Sequence, residues 1–177
     1  MLYDIIYADP PWEYENKPPQ GDPSKHYPLM KLDDIKNLDV PAKDNSVCFL
    51  WTTAPLLVEG LDVLQSWGFK YKTHLIWDKK WLGLGYWVRG LHEILLIGVR
   101  GNFSPPTHEN EKLPSIVREK RTTHSKKPKI IRKLICEWYP NHSKIELFAR
   151  ERFEGWVIWG NEVDESTLCQ KALDSYV

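Results

Sequence analysis

Cysteine is scarce: Cys48, Cys136 and Cys169 are the three in 177 residues. They stand far apart, without the paired spacing of a metal site or redox motif. An odd, scattered set builds no disulfide framework. Cys48, inside Val47-Cys48-Phe49-Leu50, reads as a small core residue. Excess charge is also missing: 24 Lys+Arg balance 24 Asp+Glu, so phosphate binding gains nothing from net charge. No apolar run approaches the roughly 20 residues of a membrane span. The opening Met1-Leu2-Tyr3-Asp4 lacks the basic and apolar stretches of a secretory signal. A cytoplasmic protein without membrane attachment or structural metal is expected.

What is present is ordinary globular composition, 42% apolar and 27% charged, in a length that suits one domain. That domain is expected over residues 1–163, with a polar tail at 164–177 that frays. Residues 3–8 are β-rich and end at Asp9-Pro10-Pro11, which reads as a strand followed by a loop. A proline-rich loop over 12–28 precedes a short helix at 32–38. A buried strand is expected at 46–52, then a helix from Pro55 to Gly68 with Leu57, Leu61 and Leu64 on its apolar face. Strands follow at 69–77 and 93–99, separated by a glycine-rich loop at 78–90, and residues 101–123 have loop composition. Pro128 opens a helix whose Ile131, Leu134, Ile135 and Trp138 recur at helical spacing. Strands at 144–149 and 155–160 complete the series. Strands alternating with helices predict an α/β domain with a mostly parallel sheet and helices on both faces. Ligands then belong outside the carboxyl ends of the strands.

Charge is unevenly distributed. Residues 118–133 hold Arg118, Lys120, Arg121, Lys126, Lys127, Lys129, Arg132 and Lys133, with only Glu119 opposing them. Such a run is either a solvated basic face or a phosphate-binding surface. Nine tryptophans, several in loops, favour the second, because aromatics among cations suit base stacking.

Asp9-Pro10-Pro11-Trp12 sits where a ligand is expected. The sequence makes a good turn, yet its residue types also suit an exocyclic amine. Such a nitrogen, conjugated into a ring, becomes nucleophilic when acceptors draw on its two N–H bonds. The Asp9 carboxylate can take one and the Pro10 carbonyl the other. The two prolines hold those acceptors in place, and Trp12 can stack on an extruded base.

Tyr7-Ala8-Asp9-Pro10-Pro11-Trp12 resembles the signature of the MT-A70 adenine-N6 methyltransferases. The resemblance continues in family order through His26-Tyr27-Pro28-Leu29-Met30, Leu50-Trp51-Thr52, Gly85-Tyr86-Trp87-Val88-Arg89 and His92-Glu93-Ile94-Leu95-Leu96. It runs on in His124-Ser125-Lys126-Lys127-Pro128, Lys144-Ile145-Glu146-Leu147-Phe148-Ala149-Arg150 and Trp159-Gly160-Asn161-Glu162. It implies a Rossmann-like methyltransferase fold in permuted motif order and S-adenosylmethionine (SAM) as methyl donor. It further implies a nucleic-acid substrate, DNA in preference to RNA. By that resemblance Asp9 and Pro10 polarise the amine, and Pro11 and Trp12 shape the adenine pocket. Lys127 approaches the SAM carboxylate, Arg150 its ribose or tail, and Asn161 and Glu162 its ribose and adenine; Asp9 borders the same cofactor. Tyr27, Arg89, His92 and Glu93 fall on the substrate side, with Arg118, Arg121 and His124 as a phosphate-contacting or gating element. Glu146 either orients the cofactor site or is a buried structural carboxylate.

Two features depart from larger members. With two residues ahead of the first strand, the wall of the SAM-adenine pocket is expected to come from elsewhere. Without a module resembling a target-recognition domain, substrate choice rests on the loops at 12–28, 78–90 and 101–125, or on a homo- or heterodimer partner. A non-catalytic nucleic-acid-binding subunit is the competing reading, against which the intact Asp9-Pro10-Pro11-Trp12 argues. Cytosine-N4 methylation uses the same amine logic, but such enzymes more usually begin the motif with serine.

Overall fold

The computed structural model describes residues 1–14, 28–83, 85, 87–106, 114–121 and 126–160. Seven strands form one sheet in the order β5-β3-β4-β2-β1-β6-β7. They are β1 (Tyr3–Ala8), β2 (Ala42–Thr53), β3 (Lys70–Asp78), β4 (His92–Arg100), β5 (Ile116–Arg118), β6 (Lys144–Leu147) and β7 (Val157–Trp159). β1 pairs in parallel with both β2 and β6, β6 with β7, and β3 with β5. β4 alone is reversed, running antiparallel to β2 and β3. The sheet is therefore mostly parallel, and the beginning of β4 meets the carboxyl ends of its neighbours β2 and β3.

Strand periodicity assigns the two faces. Ile6, Ala8, Cys48, Leu50, Ile94, Leu96, Ile145 and Leu147 pack on one side. There they meet α1 (Leu32–Lys36) through Ile35 and α2 (Leu57–Ser66) through Val63 and Leu64. Ile5, Tyr7, Val47, Phe49, Trp51 and Leu95 point to the other side, where α3 (Lys129–Trp138) supplies Ile131 and Ile135. Ile5, Ile6, Leu50, Leu95 and Ile145 are all fully buried. At about 1.5–3 kcal/mol for each such side chain, the central strands dominate stability, and the rim is left to polar work. Helices thus cover both faces, as the alternating pattern predicts.

α2 begins one turn after Pro55, behind a short 3₁₀ turn at Ala54–Leu56, and ends as glycine placement requires. Gly68 adopts φ +80°; its N–H bonds the Gln65 carbonyl at 2.9 Å and that of Phe69 bonds Leu64 at 3.0 Å. These paired bonds close the helix in a Schellman motif.

Three expectations are corrected. Residues 116–118 are a strand rather than loop, because β3 offers them a free edge; three residues are too short to display periodicity. β6 stops at Leu147 rather than at Ala149, since Phe148 at φ +62° turns the chain out of the sheet. Arg132 belongs to no solvated basic face: it is 6% exposed and lies on the buried side of α3.

Candidate active site

β1 delivers Asp9 to the rim. Ile5 and Tyr7 face α3, so strand alternation carries Asp9 to the same side, one residue past the last paired position, Ala8. The prolines then hold the chain against the next loop. Pro11 accepts the Met30 N–H at 2.8 Å, Glu13 donates to the Met30 carbonyl at 3.1 Å, and Trp12 donates to Pro10 at 2.9 Å. The Pro10 carbonyl is thus already half engaged, with one lone pair remaining.

Trp12 is 8% exposed and belongs to the core. Its indole N–H bonds the Trp51 carbonyl at 3.1 Å, while the Trp51 indole N–H bonds the Tyr7 hydroxyl at 2.7 Å. The two indoles lock β1 to β2 beneath Asp9. In this conformation Trp12 is the support of the loop rather than an open stacking face.

Four alternating charges cross the rim. Lys127, just ahead of α3, lies 2.7 Å from each Asp9 oxygen and 3.2 Å from Glu93 Oε2. Lys79, at the end of β3, holds Glu93 Oε1 at 3.2 Å. Glu93 reaches this line only because β4 is reversed. Burial pushes the Asp9 carboxyl up from its ordinary value, against the pull of Lys127. Burial would raise Glu93 too, but Lys127 and Lys79 outweigh it and hold that carboxyl low. Burial disfavours the Lys127 ammonium, yet Asp9 and Glu93 more than compensate and keep it charged. The Trp51 ring lies below, 5.6 Å from Lys127 Nζ.

Beside this line lies a shallow, open cleft between the ends of β1 and β6 and the start of α3, bounded by Asp9, Lys127, Phe148, Arg150 and Glu151. Its floor is a buried pair, Arg132 Nε to Glu146 Oε2 at 3.5 Å, in which neither atom has a hydrogen bond. Arg132 also reaches Glu151 at 3.3 Å. Burial drives the Glu146 carboxyl up to about 7, with Arg132 opposing and Asp9 adding to the rise. The rim of β7 closes in from the far side: a Cβ at Gly160 would meet the Ala149 carbonyl oxygen at 2.3 Å. Only glycine permits this approach.

The remaining expected residues divide. His92 starts β4 opposite Asp78. Arg118 is exposed on β5, 3.7 Å from Asp78, and Arg121 lies over the Trp81 ring at 5.7 Å. Arg89 donates to the carbonyls of Gly83 and Leu82 at 3.1 and 3.4 Å, bracing the loop between β3 and β4. These surround the rim without touching Asp9. Tyr27, His124, Asn161 and Glu162 lie outside the described residues. Lys79, Trp51 and Arg132 are site residues that the motif reading misses. Arg132 left one signal, a cation beside Ile131 on the apolar side of a helix.

The MT-A70 family description matches residues 3–162. The chain is 33% identical to the type II methyltransferase M.MunI of a Mycoplasma species, over 94% of this chain and 80% of that protein. It is 31% identical to a probable N(6)-adenosine-methyltransferase MT-A70-like protein of rice, covering 97% of this chain and 24% of the relative. Against the human N(6)-adenosine-methyltransferase catalytic subunit METTL3 it is also 31% identical, over 90% of this chain and 28% of that protein. The chain thus spans most of the Mycoplasma protein and about a quarter of the other two.

Proposed function

Since the chain belongs to the MT-A70 family, we propose that it transfers a methyl group from SAM to the N6 amine of adenine in nucleic acid, with DNA the favoured acceptor. The observation that carries this reading is Asp9: a buried carboxylate at the carboxyl end of β1, held by prolines and charge-paired at the lip of a cleft. The site serves amine alkylation by positioning acceptors, because SAM supplies an activated methyl on a sulfonium and asks for no nucleophile from the protein.

The cleft suits that donor. Lys127 and Arg150 offer cations for its carboxylate and ribose or tail, and Gly160 lets the end of β7 close against Ala149. Asn161 and Glu162, the next two residues, are assigned to its ribose and adenine. On the acceptor side Asp9 takes one N–H of the amine and the unused lone pair of Pro10 the other. β1 and the two prolines hold the backbone of both acceptors in place, so little backbone reorganisation accompanies charge development. Tyr27, Arg89, His92 and Glu93 stand on the acceptor side, with Arg118, Arg121 and His124 as a phosphate-contacting or gating element. Residues 1–163 form the methyltransferase domain, and the protein works in the cytoplasm, alone or with a dimer partner. No described helix is long and apolar enough to cross a membrane.

DNA is favoured by similarity to a Mycoplasma type II methyltransferase of comparable length. RNA is the second reading, since adenosine, named in the rice and human relatives, is a ribonucleoside. Purified protein with methyl-labelled SAM and unmodified DNA or RNA, digested to nucleosides, separates the two. Label in N6-methyldeoxyadenosine supports the DNA reading, and label in N6-methyladenosine alone moves the substrate to RNA. Absence of label from both, with SAM still bound, would point to a missing partner or to the non-catalytic reading.

A further inference from the structure

Asp9 faces a conflict that amine methylation has to resolve. To accept an N6–H it must present a carboxylate oxygen, yet Lys127 Nζ lies 2.7 Å from both oxygens. An ammonium so placed fills the space in front of the carboxyl group and neutralises the charge the amine should meet. Nor can Lys127 withdraw unpaired, because its side chain is 11% exposed and a buried ammonium parted from its counter-ion is costly. A second carboxylate stands on its other side. Glu93 Oε2 is 3.2 Å from the same Nζ, while Lys79 anchors Oε1 at 3.2 Å. The Trp51 ring lies under the ammonium and offers it a favourable surface between the two acceptors.

Building on the adenine-methylation reading, we propose that Glu93 is a positioning residue that takes over the Lys127 ammonium as the acceptor amine enters, releasing Asp9 to accept the N6–H. The ammonium stays paired with Glu93 on the side away from the SAM carboxylate that it also faces in the proposed function, and no proton moves. Lys79 keeps Glu93 from following Lys127 towards Asp9, so the exchange runs in one direction: Lys127 shifts to Glu93, and the amine takes its place at Asp9. The reversed strand β4 exists at the rim in the right place for this, since a parallel strand would present its other end there.

The test is a double-mutant cycle on the intact chain, with saturating labelled SAM and adenine-containing nucleic acid. Glu93→Gln is expected to lower kcat about tenfold or more while changing the SAM dissociation constant less than about threefold. In a Lys127→Ala background the same substitution is expected to cost less than about twofold, because no ammonium remains to be drawn off Asp9. Glu93→Asp keeps the charge and is expected to recover part of kcat; it replaces Glu93→Gln in the cycle if the latter does not fold. A structure with an adenine nucleotide at the acceptor site should place Lys127 Nζ nearer to Glu93 than to Asp9. Equal losses in both backgrounds, wild-type turnover by Glu93→Gln, or Lys127 still on both Asp9 oxygens with the nucleotide bound would overturn the proposal. Failure of the underlying reading shows differently: the unmodified chain then labels no adenine at all, and the proposal falls with it.

Discussion

Arg132 Nε stands 3.5 Å from Glu146 Oε2 on the floor of the cleft, both fully buried and neither hydrogen-bonded. Arg132 keeps a hydrogen bond from Nη1 to Glu151 at 3.3 Å, but a Glu146 carboxylate held just outside hydrogen-bonding geometry recovers little of what its desolvation costs. Burial accordingly raises the Glu146 carboxyl from 4.5 to about 7.

That rise has a consequence for stability. The folded state binds the Glu146 proton more tightly than the unfolded chain, so its contribution is full below the unfolded value near 4.5 and is lost as pH climbs through about 7. Glu146→Gln should flatten the decline in melting temperature across that interval. Identical pH profiles for the two proteins would refute the assignment. Arg132→Ala, which strands the carboxylate, is expected to cost about 3–5 kcal/mol, read by urea unfolding at pH 8.

Asp9→Ala is expected to lower methyl transfer at least about 10²-fold, since it removes an acceptor aimed at developing charge. Because that role lies on the amine side, calorimetry should find SAM binding largely retained. Near-normal turnover would remove Asp9 from the mechanism.

Lys127→Ala should raise the SAM requirement more than it lowers saturated turnover. It should also move the acid limb of the pH–rate profile upward, because Lys127 is the chief group opposing the burial-driven rise of Asp9. A limb that stays in place, or a purely nucleic-acid KM effect, would relocate Lys127 to the substrate side.

Gly160→Ala would drive a Cβ to 2.3 Å from the Ala149 oxygen. The backbone has to give, at about 1–3 kcal/mol by analogy with overpacked cores. Weaker SAM binding should accompany the lower melting temperature. An unchanged melting curve would mean that β7 does not close against β6 as described.

Arg118→Ala and Arg121→Ala bear on nucleic-acid contact. If each meets one phosphate, each should reduce the slope of log affinity against log salt by roughly 0.9 on duplex DNA. Unchanged slopes would leave both as braces of the rim, Arg118 towards Asp78 and Arg121 on Trp81.

The position of Asp9 at the sheet's rim was legible because the residues that place it are local. Asp9 follows a β-rich run directly, and in a mostly parallel α/β sheet ligands bind outside the carboxyl ends of the strands. Lys127 was singled out only by the family resemblance, as the residue before the Pro128 that opens α3. The pairing of Glu93 with Lys127 and Lys79 was not legible. Glu93 sits at the start of a strand whose apolar run is the same whichever way the strand is inserted, and only pairing with β2 and β3 reverses it. Glu146 alternated correctly with Ile145 and Leu147, but whether it was a ligand or a buried structural acid depended on a partner not adjacent in sequence, Arg132.

Sequence by itself determined what periodicity and backbone chemistry decide locally: the strands and helices, the proline-held Asp9, the helix stop at Gly68, and the α/β class with its site at the strand ends. Tertiary structure alone decided which charges meet. Strand direction, edge pairing and helix docking bring Asp9, Lys79, Glu93 and Lys127 together from three strand ends and a helix entrance. Coulomb interactions fall off with distance in space and are blind to separation along the chain, so no local pattern records them.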